Sequence, residues 1–120
     1  MSESTSSWFV YIVRCSDGTL YTGITTDLQK RVAAHNSRKG AKYTATRTPV
    51  VLVWSQSSET RSTARREEWR IKQLTRSEKL ALIDNLYYNN LVQITLLRDE
   101  ILEKFAYLHN LFQYKEQLLI

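Results

Sequence analysis

A short turn between two strand-like runs is the feature that most restricts how this chain can fold. The runs WFVYIVR (Trp8 to Arg14) and TLYTGIT (Thr19 to Thr25) are rich in aromatic and β-branched residues and have the length of strands. Between them, Ser16-Asp17-Gly18 has the residue types of a tight turn. Together these segments predict a β-hairpin.

The length of the hairpin loop decides whether two tyrosines share a face of the sheet. A two-residue loop at Asp17-Gly18 would place Tyr11 and Tyr21 on opposite faces. A three-residue loop would pair Tyr11 with Gly23 and put both phenols on one face, beside the open space of the glycine. Gly18 suits the left-handed position of the longer loop. The residues alone leave both registers open, and two unrelated strand tyrosines are the simpler interpretation.

Helix and strand signals follow the hairpin. Thr26 and Gln29 fit a capping box that opens a helix reaching about His35. Residues 36–49 have no apolar periodicity and are predicted to form a long loop. The run VVLVWS after Pro49 is short and continuously apolar, which favours a buried strand.

Two further helices complete the predicted domain. One runs from about Ser62 to Leu74, and Thr75-Arg76-Ser77-Glu78 starts another that reaches about Asn85. The order β-β-α-β-α-α predicts a small α/β (α+β) fold, in which helices flank a three-stranded antiparallel sheet. We assign residues 8–83 to this domain and expect residues 1–7 to be disordered.

The C-terminal extension, residues 84–120, has a helical apolar pattern. Apolar positions three and four apart predict an amphipathic helix: Leu91, Ile94, Leu97, Ile101, Phe105, Leu108 and Phe112. Other apolar residues lie off this stripe: Leu102, Tyr107, Leu111, Leu118, Leu119 and Ile120. An isolated helix with this much apolar surface is a liability. We therefore expect residues 88–120 to dock on the domain, to form a homodimer or to bind a protein partner.

The net charge of +5 is unevenly distributed. Residues 1–83 contain 14 basic and 7 acidic residues, a net of +7, whereas residues 84–120 contain 3 basic and 5 acidic residues, a net of −2. A cationic domain attracts polyanions such as nucleic acid. The charge therefore favours a nucleic-acid partner for the domain, although solvated surface lysines and arginines are the alternative.

The cysteine content and the hydropathy of the chain indicate its compartment. Cys15 is the single cysteine and has no partner for an internal disulfide, which favours a reducing, cytoplasmic location. No run approaches the roughly 18 apolar residues of a membrane span. The polar, acidic start MSESTSS lacks the pattern of a signal peptide.

Charged residues on the core-facing sides of two predicted helices are candidates for a site. On the first helix Leu28 and Val32 define the core stripe, and Arg31 and His35 lie together at its margin. Near a tyrosine pair they suggest an anion site. Alone, each would be a side chain whose apolar stem packs along the core while its polar end reaches solvent.

A carboxylate falls on the buried stripe of the later helix. Glu68 lies on the same face as Ala64 and Ile71, where an unpaired carboxylate is costly. Glu67, at the edge of the stripe, is interpreted as a surface charge. A salt bridge from Glu68 to Arg31 and a metal ligand are the two interpretations of the buried position.

Taken together, these residues resemble the GIY-YIG nuclease domain, in particular its small, single-domain bacterial branch and the catalytic domain of structure-specific repair nucleases. The basic stretch KGAKYT and the run ARREEWRIKQL also occur in family order, so the resemblance covers about residues 8–83. The first motif keeps only the tyrosine of Gly-Ile-Tyr, and Thr22 replaces an isoleucine in the second. The matching residues are Phe9-Val10-Tyr11, Tyr21-Thr22-Gly23, Arg31, His35 and Glu68.

The resemblance implies a metal-dependent endonuclease that hydrolyses DNA phosphodiester bonds in repair or recombination. Glu68 would hold one divalent metal, Mg²⁺ or Mn²⁺, and Arg31 would neutralise the scissile phosphate. Tyr11 and Tyr21 would position or deprotonate the attacking water, with His35 and Tyr43 as auxiliaries. A tyrosine with a pKa of about 10 needs a nearby cation to act as a base. The identity of the base, either tyrosine or His35, stays open.

The loop at residues 36–49 is the candidate substrate-gripping element. Its cations, Arg38, Lys39, Lys42 and Arg47, would contact phosphates without reading bases. A flexible, solvated loop is the alternative. The sequence has no zinc-finger cysteines or other recognition motif, so we expect a substrate selected by structure and not by sequence: DNA, with RNA as the alternative.

Two other functions compete with a nuclease. The altered first motif is also compatible with a nucleic-acid-binding module that is catalytically weak or inactive. The apolar C-terminal pattern is compatible with an interaction protein that works through its C-terminal helix.

Overall fold

A computed structural model describes residues 7–118 of the protein. The segment expected to be disordered therefore lies outside the described residues except for Ser7, as do Leu119 and Ile120. The elements, in chain order, are β1 (Trp8–Arg14), β2 (Leu20–Thr25), α1 (Leu28–Asn36), α2 (Lys42–Ala45), β3 (Val51–Ser58), α3 (Arg61–Lys72) and α4 (Arg76–Leu118). The α+β class and the three-stranded antiparallel sheet are confirmed.

Strand β1 is the centre of the sheet, whose order is β2-β1-β3 with antiparallel pairing on both sides. Its central residues, Val10 to Val13, are buried because strands cover both edges of β1 and helices pack on it. Strand β3 lies at an edge of the sheet, so the prediction of a buried strand is largely wrong. Val51 and Leu52 are exposed and Trp54 alone in that strand is fully buried.

The hairpin has the three-residue loop. Cys15 N donates to the carbonyl of Thr19 at 2.8 Å, which closes the loop over Ser16-Asp17-Gly18. Gly18 has a φ of 82°, the left-handed conformation that this loop requires and that glycine adopts without strain. The longer of the two predicted loops is therefore the correct one.

Helix α1 begins one residue later than the capping-box pattern indicates. Asp27 is its N-cap and accepts a hydrogen bond from Lys30 N at 3.0 Å, so the assignment to Thr26 and Gln29 is wrong. Aspartate caps a helix at least as well as threonine, and two candidates in succession make the pattern ambiguous. Within the predicted loop 36–49, α2 forms one helical turn, too short to produce an apolar period.

Reciprocal capping starts both remaining helices. Thr60 and Thr63 cap α3, and Thr75 and Glu78, at the predicted start of α4, cap that helix through hydrogen bonds of 2.9 and 3.2 Å. The expected end of this helix near Asn85 is wrong. Helix α4 continues to Leu118 because its 43 residues contain neither proline nor glycine.

The chain divides into two units between Ile83 and Asp84. In the second unit the predicted stripe forms part of α4, and its apolar side chains are exposed where they are described, as are those of Leu102, Tyr107 and Leu111 off the stripe. The side chains of Phe112 and Leu118 lie outside the described set. Among the described helices, α4 included, none combines the length and the apolarity needed to cross a membrane.

Candidate active site

The Tyr11 ring lies directly over Gly23 on the next strand. The register pairs these two residues, and a Cβ at Gly23 would lie 2.6 Å from the phenol oxygen of Tyr11. The open space predicted beside the glycine is therefore filled by the phenol, and a side chain at this position would displace it. Tyr21 pairs with Val13 and lies on the same face, with its ring centroid 6.4 Å from that of Tyr11.

His35 of α1 lies behind the Tyr11 phenol and is fully buried. Its Nε2 lies 2.7 Å from Tyr11 Oη, and its Nδ1 lies 2.7 Å from the Thr44 hydroxyl of α2. The connection between α1 and α2 passes close to the ring, since a Cβ at Gly40 would lie 2.5 Å from His35 Nδ1. The segment from Gly40 to Thr44, which includes the start of α2, therefore fits closely around the imidazole.

One set of proton positions satisfies the whole chain of contacts. The Thr44 hydroxyl is 3.0 Å from the carbonyl of Ala41, which can only accept, so the hydroxyl donates its single proton there. Thr44 Oγ1 then accepts from Nδ1–H of His35, which leaves Nε2 of the neutral ring as an acceptor for the Tyr11 hydroxyl. The Tyr11 proton therefore points at His35.

Arg31, which lines the cavity, also contacts Tyr11, with Nε donating to the phenol oxygen at 3.2 Å. Burial raises the pKa of Tyr11, and this outweighs the hydrogen bond and the charge of Arg31, which lower it. Burial and the Arg31 charge lower the pKa of His35. Both Tyr11 and His35 are therefore neutral at pH 7 in the folded protein.

A second aromatic layer covers these residues. The Tyr21 ring meets His35 edge-on at 5.3 Å and stacks on Tyr43 at 6.1 Å. The Arg47 guanidinium lies 4.0 Å above the Tyr43 ring and pairs with Asp17 of the hairpin loop at 3.0 Å. Arg47 thus joins the α2 segment to the hairpin.

These groups open onto one cavity of about 270 Å³. Four predicted site residues line it, while His35 and Tyr43 lie behind its tyrosines. None of the cations predicted in loop 36–49 is among the described residues that line it. Sequence reasoning missed Trp8, Arg61 and Arg65, although the spacing of Arg61, Arg65 and Glu68 by four and three residues indicates one helix face. The residues around the cavity are Trp8, Tyr11, Tyr21, Gly23, Ile24, Arg31, Arg61, Arg65 and Glu68.

Glu68 is the carboxylate on this cavity. It is half-buried beside fully buried Ala64 and Ile71, and its Oε2 pairs with Lys72 Nζ at 3.2 Å. The ion pairs of the described residues do not include the alternative pair of Glu68 with Arg31. Glu67 pairs with Arg70 at the surface, as expected for a surface charge.

The donor set suits a metal that needs few protein ligands. Within residues 7–118 no three His, Cys, Asp or Glu side chains come close enough to hold an ion together. Mg²⁺ takes one or two carboxylates and completes its shell with waters and substrate phosphate oxygens. Glu68 on an open, polar cavity fits that requirement.

Residues 7–81 match the GIY-YIG catalytic domain. The chain belongs to the GIY-YIG family. The match extends from β1 into the first turns of α4 and leaves residues 82–120 outside it.

Relatives of this GIY-YIG domain occur in bacteria and archaea. The chain is 59% identical over 73 residues to a UPF0213 protein of Halobacterium salinarum, a match that covers 61% of this chain and 95% of that one. It is 54% identical over 77 residues to a UPF0213 protein of Staphylococcus aureus, with 64% and 94% covered. A solution NMR structure of the UPF0213 protein BH0048 from Bacillus halodurans is 42% identical, with a TM-score of 0.44 over 65% of this chain and 83% of that one.

Two of the departures from the family motifs, Val10 and Thr22, lie on the face of the sheet opposite to Tyr11. Alternate strand residues face opposite sides of a sheet, so Val10 and Thr22 face away from Tyr11. Both are buried, and Thr22 faces Ile12 across the strands. Phe9 is half-buried and is not among the described residues that line the cavity. Val10 and Thr22 therefore serve packing, while the tyrosines and Gly23 of the GIY-YIG motifs are kept.

Proposed function

We propose that this protein is a metal-dependent endonuclease that hydrolyses phosphodiester bonds of DNA, selects its substrate by structure, and acts in repair or recombination. The observation that carries the proposal is the hydrogen-bonded chain Tyr11–His35–Thr44, which ends at the same cavity as Arg31 and Glu68. A phenol backed by a base can take a proton from water, a cation can offset charge on the phosphate, and a carboxylate can hold a metal, which together suit phosphodiester hydrolysis.

Tyr11 is the general base of the proposed reaction, because it alone of the two cavity tyrosines has a hydrogen bond to His35 among the described contacts. The attacking water transfers a proton to Tyr11 Oη as the phenol proton moves to His35 Nε2, so that the ring becomes an imidazolium and no phenolate persists. The lowered pKa of His35 keeps Nε2 free to accept that proton at neutral pH. The raised pKa of Tyr11 argues against a resident phenolate.

The other residues bind and orient. Arg31 faces the cavity and would bind the scissile phosphate, where its guanidinium offsets the developing charge. Tyr21, held between His35 and Tyr43, would orient the water. Glu68 would hold Mg²⁺ or Mn²⁺, which stabilises negative charge on the phosphate and the leaving oxygen when bound.

Cleavage assays with a matched pair of variants test the proposal. The full chain is incubated with branched, nicked and linear DNA, and with RNA, in Mg²⁺ or Mn²⁺. We expect the parent and Glu67→Gln to cleave and Glu68→Gln to fail, because Glu67 is committed to Arg70 while Glu68 faces the cavity. Equal cleavage by Glu68→Gln would contradict the metal assignment. Salt-dependent binding without products under any metal would identify a binding module without turnover.

The exposed apolar surface of α4 supports a second proposal, that residues 84–111 join two copies of this chain. Between 45% and 72% of each of six stripe residues is exposed. Together they offer on the order of 700 Å² of surface, close to the roughly 800 Å² that each partner buries in a standard interface. The residues are Leu91, Ile94, Leu97, Ile101, Phe105 and Leu108.

Sedimentation of the full chain tests self-association. We expect a dimer for the parent and a monomer for Leu97→Lys with Ile101→Lys, because buried ammonium groups would oppose packing of the stripe. Gln93→Lys adds the same kind of charge at an exposed polar position and should leave the dimer intact. A monomeric parent at micromolar concentration would overturn the proposal.

A further inference from the structure

Two arginines of α3 face the cavity without a part in the proposed reaction. Arg61 and Arg65 are one helical turn apart, about 6 Å along the axis. Both line the cavity together with Glu68, three residues further on the same face. Helix α3 therefore presents two cations beside the proposed metal position.

These two arginines differ from Arg70 and Lys72 of the same helix in how their charge is used. On the same helix Arg70 pairs with Glu67, and Lys72 pairs with Glu68. The ion pairs formed within the described residues include no carboxylate for Arg61 or Arg65. With Arg31 the cavity thus contains three guanidinium groups and one carboxylate, an excess of positive charge that suits an anionic ligand.

Trp8 constrains the first of these cations. The guanidinium carbon of Arg61 lies 5.8 Å from the Trp8 ring centroid, within the range of a cation–π contact. Trp8 is half-buried at the start of β1 and also lines the cavity. The contact lowers the entropic cost of ordering a long side chain when it binds.

We propose that Arg61 and Arg65 bind phosphates that neighbour the scissile phosphate on the same nucleic-acid strand. The inference rests on the proposed function, because Glu68 and Arg31 mark the scissile position. The ligand class is a phosphodiester backbone, because the strand that places its scissile phosphate at Arg31 and Glu68 carries further phosphates next to it, and α3 presents Arg61 and Arg65 on the same cavity. The contacts carry no base information, in keeping with a substrate selected by structure.

The salt dependence of binding measures these contacts directly. Fluorescently labelled DNA is titrated with full-length protein in the Glu68→Gln background, which prevents turnover, at several salt concentrations. Each lost phosphate contact lowers the slope of log affinity against log salt by about 0.9 for duplex and about 0.7 for a single strand. We expect Arg61→Ala and Arg65→Ala each to lower the slope by about one contact and to weaken binding by about tenfold.

Two controls separate charge from folding. Arg66→Ala removes an exposed cation of the same helix that is not among the described cavity residues, and it should leave the slope unchanged. Arg61→Lys and Arg65→Lys should restore most of the slope, since the slope reports charge. Each variant should retain the parent's thermal midpoint.

Three outcomes would overturn the proposal, and they differ in what else they affect. If the double alanine variant binds with the parent's slope, the role of α3 is wrong and the nuclease proposal stands. If inorganic phosphate, at matched ionic strength, binds the parent but not the double variant while both bind DNA equally tightly, the site holds a free anion instead of a backbone. If the parent shows no salt-dependent binding, the proposed function falls as well.

Discussion

The two sides of the cavity differ in burial and in charge. The inner side, Tyr11 with His35 and Thr44, is buried, uncharged and closed by hydrogen bonds. The outer side, the α3 residues Arg61, Arg65 and Glu68, is charged and open to solvent or half-open. A proton relay needs fixed distances and dry surroundings, whereas binding of a metal or a phosphate needs charge that solvent and substrate can reach.

The difference also separates function from stability. No described buried side-chain nitrogen or oxygen lacks a hydrogen-bond partner, so each polar group of the inner side is part of the core that holds β1, α1 and α2 together. Removing one leaves its partner unsatisfied. Outer-side groups make weak, solvent-screened pairs. Variants of the inner side should therefore lower both activity and stability, and variants of the outer side should lower activity alone.

The largest effect on activity is expected on the outer side. In the cleavage assay Glu68→Gln should reduce the rate by roughly 1,000-fold or more, since a bound metal contributes several kcal/mol of charge stabilisation. Its thermal midpoint should hardly change, because the pair with Lys72 is partly exposed and such pairs contribute at most about 1 kcal/mol. A large loss of stability, measured by calorimetry, would contradict the division between the two sides.

The next largest effect is expected for Tyr11→Phe on the inner side. The rate should fall by about 100-fold or more, as for loss of a general base. The free energy of unfolding should fall by about 1–3 kcal/mol, because Nε2 of His35 loses its donor in a buried site. Chemical denaturation measures this second effect. Tyr43→Phe, at a half-exposed ring, is the matched control and should change stability little; a stable Tyr11→Phe would show that the hydrogen-bond chain is not closed.

The sequence identified the two strand tyrosines but did not decide whether they share a face of the sheet. Strand type, turn residues and Gly18 left two registers, and the choice depends on a left-handed backbone conformation that glycine permits without requiring. The helix face that carries Glu68 followed from spacing. The burial of β3 was predicted wrongly because a continuous apolar run does not reveal whether its strand lies at an edge or in the centre.

Contacts of polar residues were the least predictable part of the site. Thr44 lies in a segment without periodicity, and its bond to His35 depends on a single turn of α2 that no apolar pattern marks. Charge density drew attention to the loop at residues 36–49, yet the arginines that join Arg31 on the cavity, Arg61 and Arg65, belong to α3. A side chain's charge is visible in a sequence, but the pocket to which it contributes depends on tertiary packing.

A smaller effect is expected at Thr44, which acts on the reaction through His35. Thr44→Val keeps the shape of the side chain but leaves His35 Nδ1–H without an acceptor. The tautomer in which Nε2 is free to accept from Tyr11 is then no longer favoured. We expect a rate about tenfold lower and a displaced pH–rate profile, since the basicity of His35 changes. Thr44→Ser retains the hydroxyl and should restore both. If the valine and serine variants lose activity equally with an unshifted profile, Thr44 has only a packing role.

The smallest effect is a pH dependence of stability that belongs to the inner side alone. Burial lowers the pKa of His35 below its value of about 6.5 in the unfolded chain, so the unfolded state binds more protons in mildly acidic solution. The stability from a neutral His35 is therefore complete above pH 6.5. It is lost as the pH falls from there toward the folded-state pKa, by at most about 1.4 kcal/mol per pH unit.

Denaturant unfolding of the full chain between pH 7.5 and 5 measures this slope, which carboxylates also influence at the acidic end. His35→Gln should remove the part of the slope near pH 6, whereas the same change at exposed His109, the second of the chain's 2 histidines, should leave it intact. Because the comparison uses slopes and not absolute stabilities, it holds even if His35→Gln is itself less stable. Identical slopes in the two glutamine variants would mean that His35 binds protons equally in the folded and unfolded chains, which would contradict a lowered pKa and hence a neutral, accepting Nε2 near pH 6.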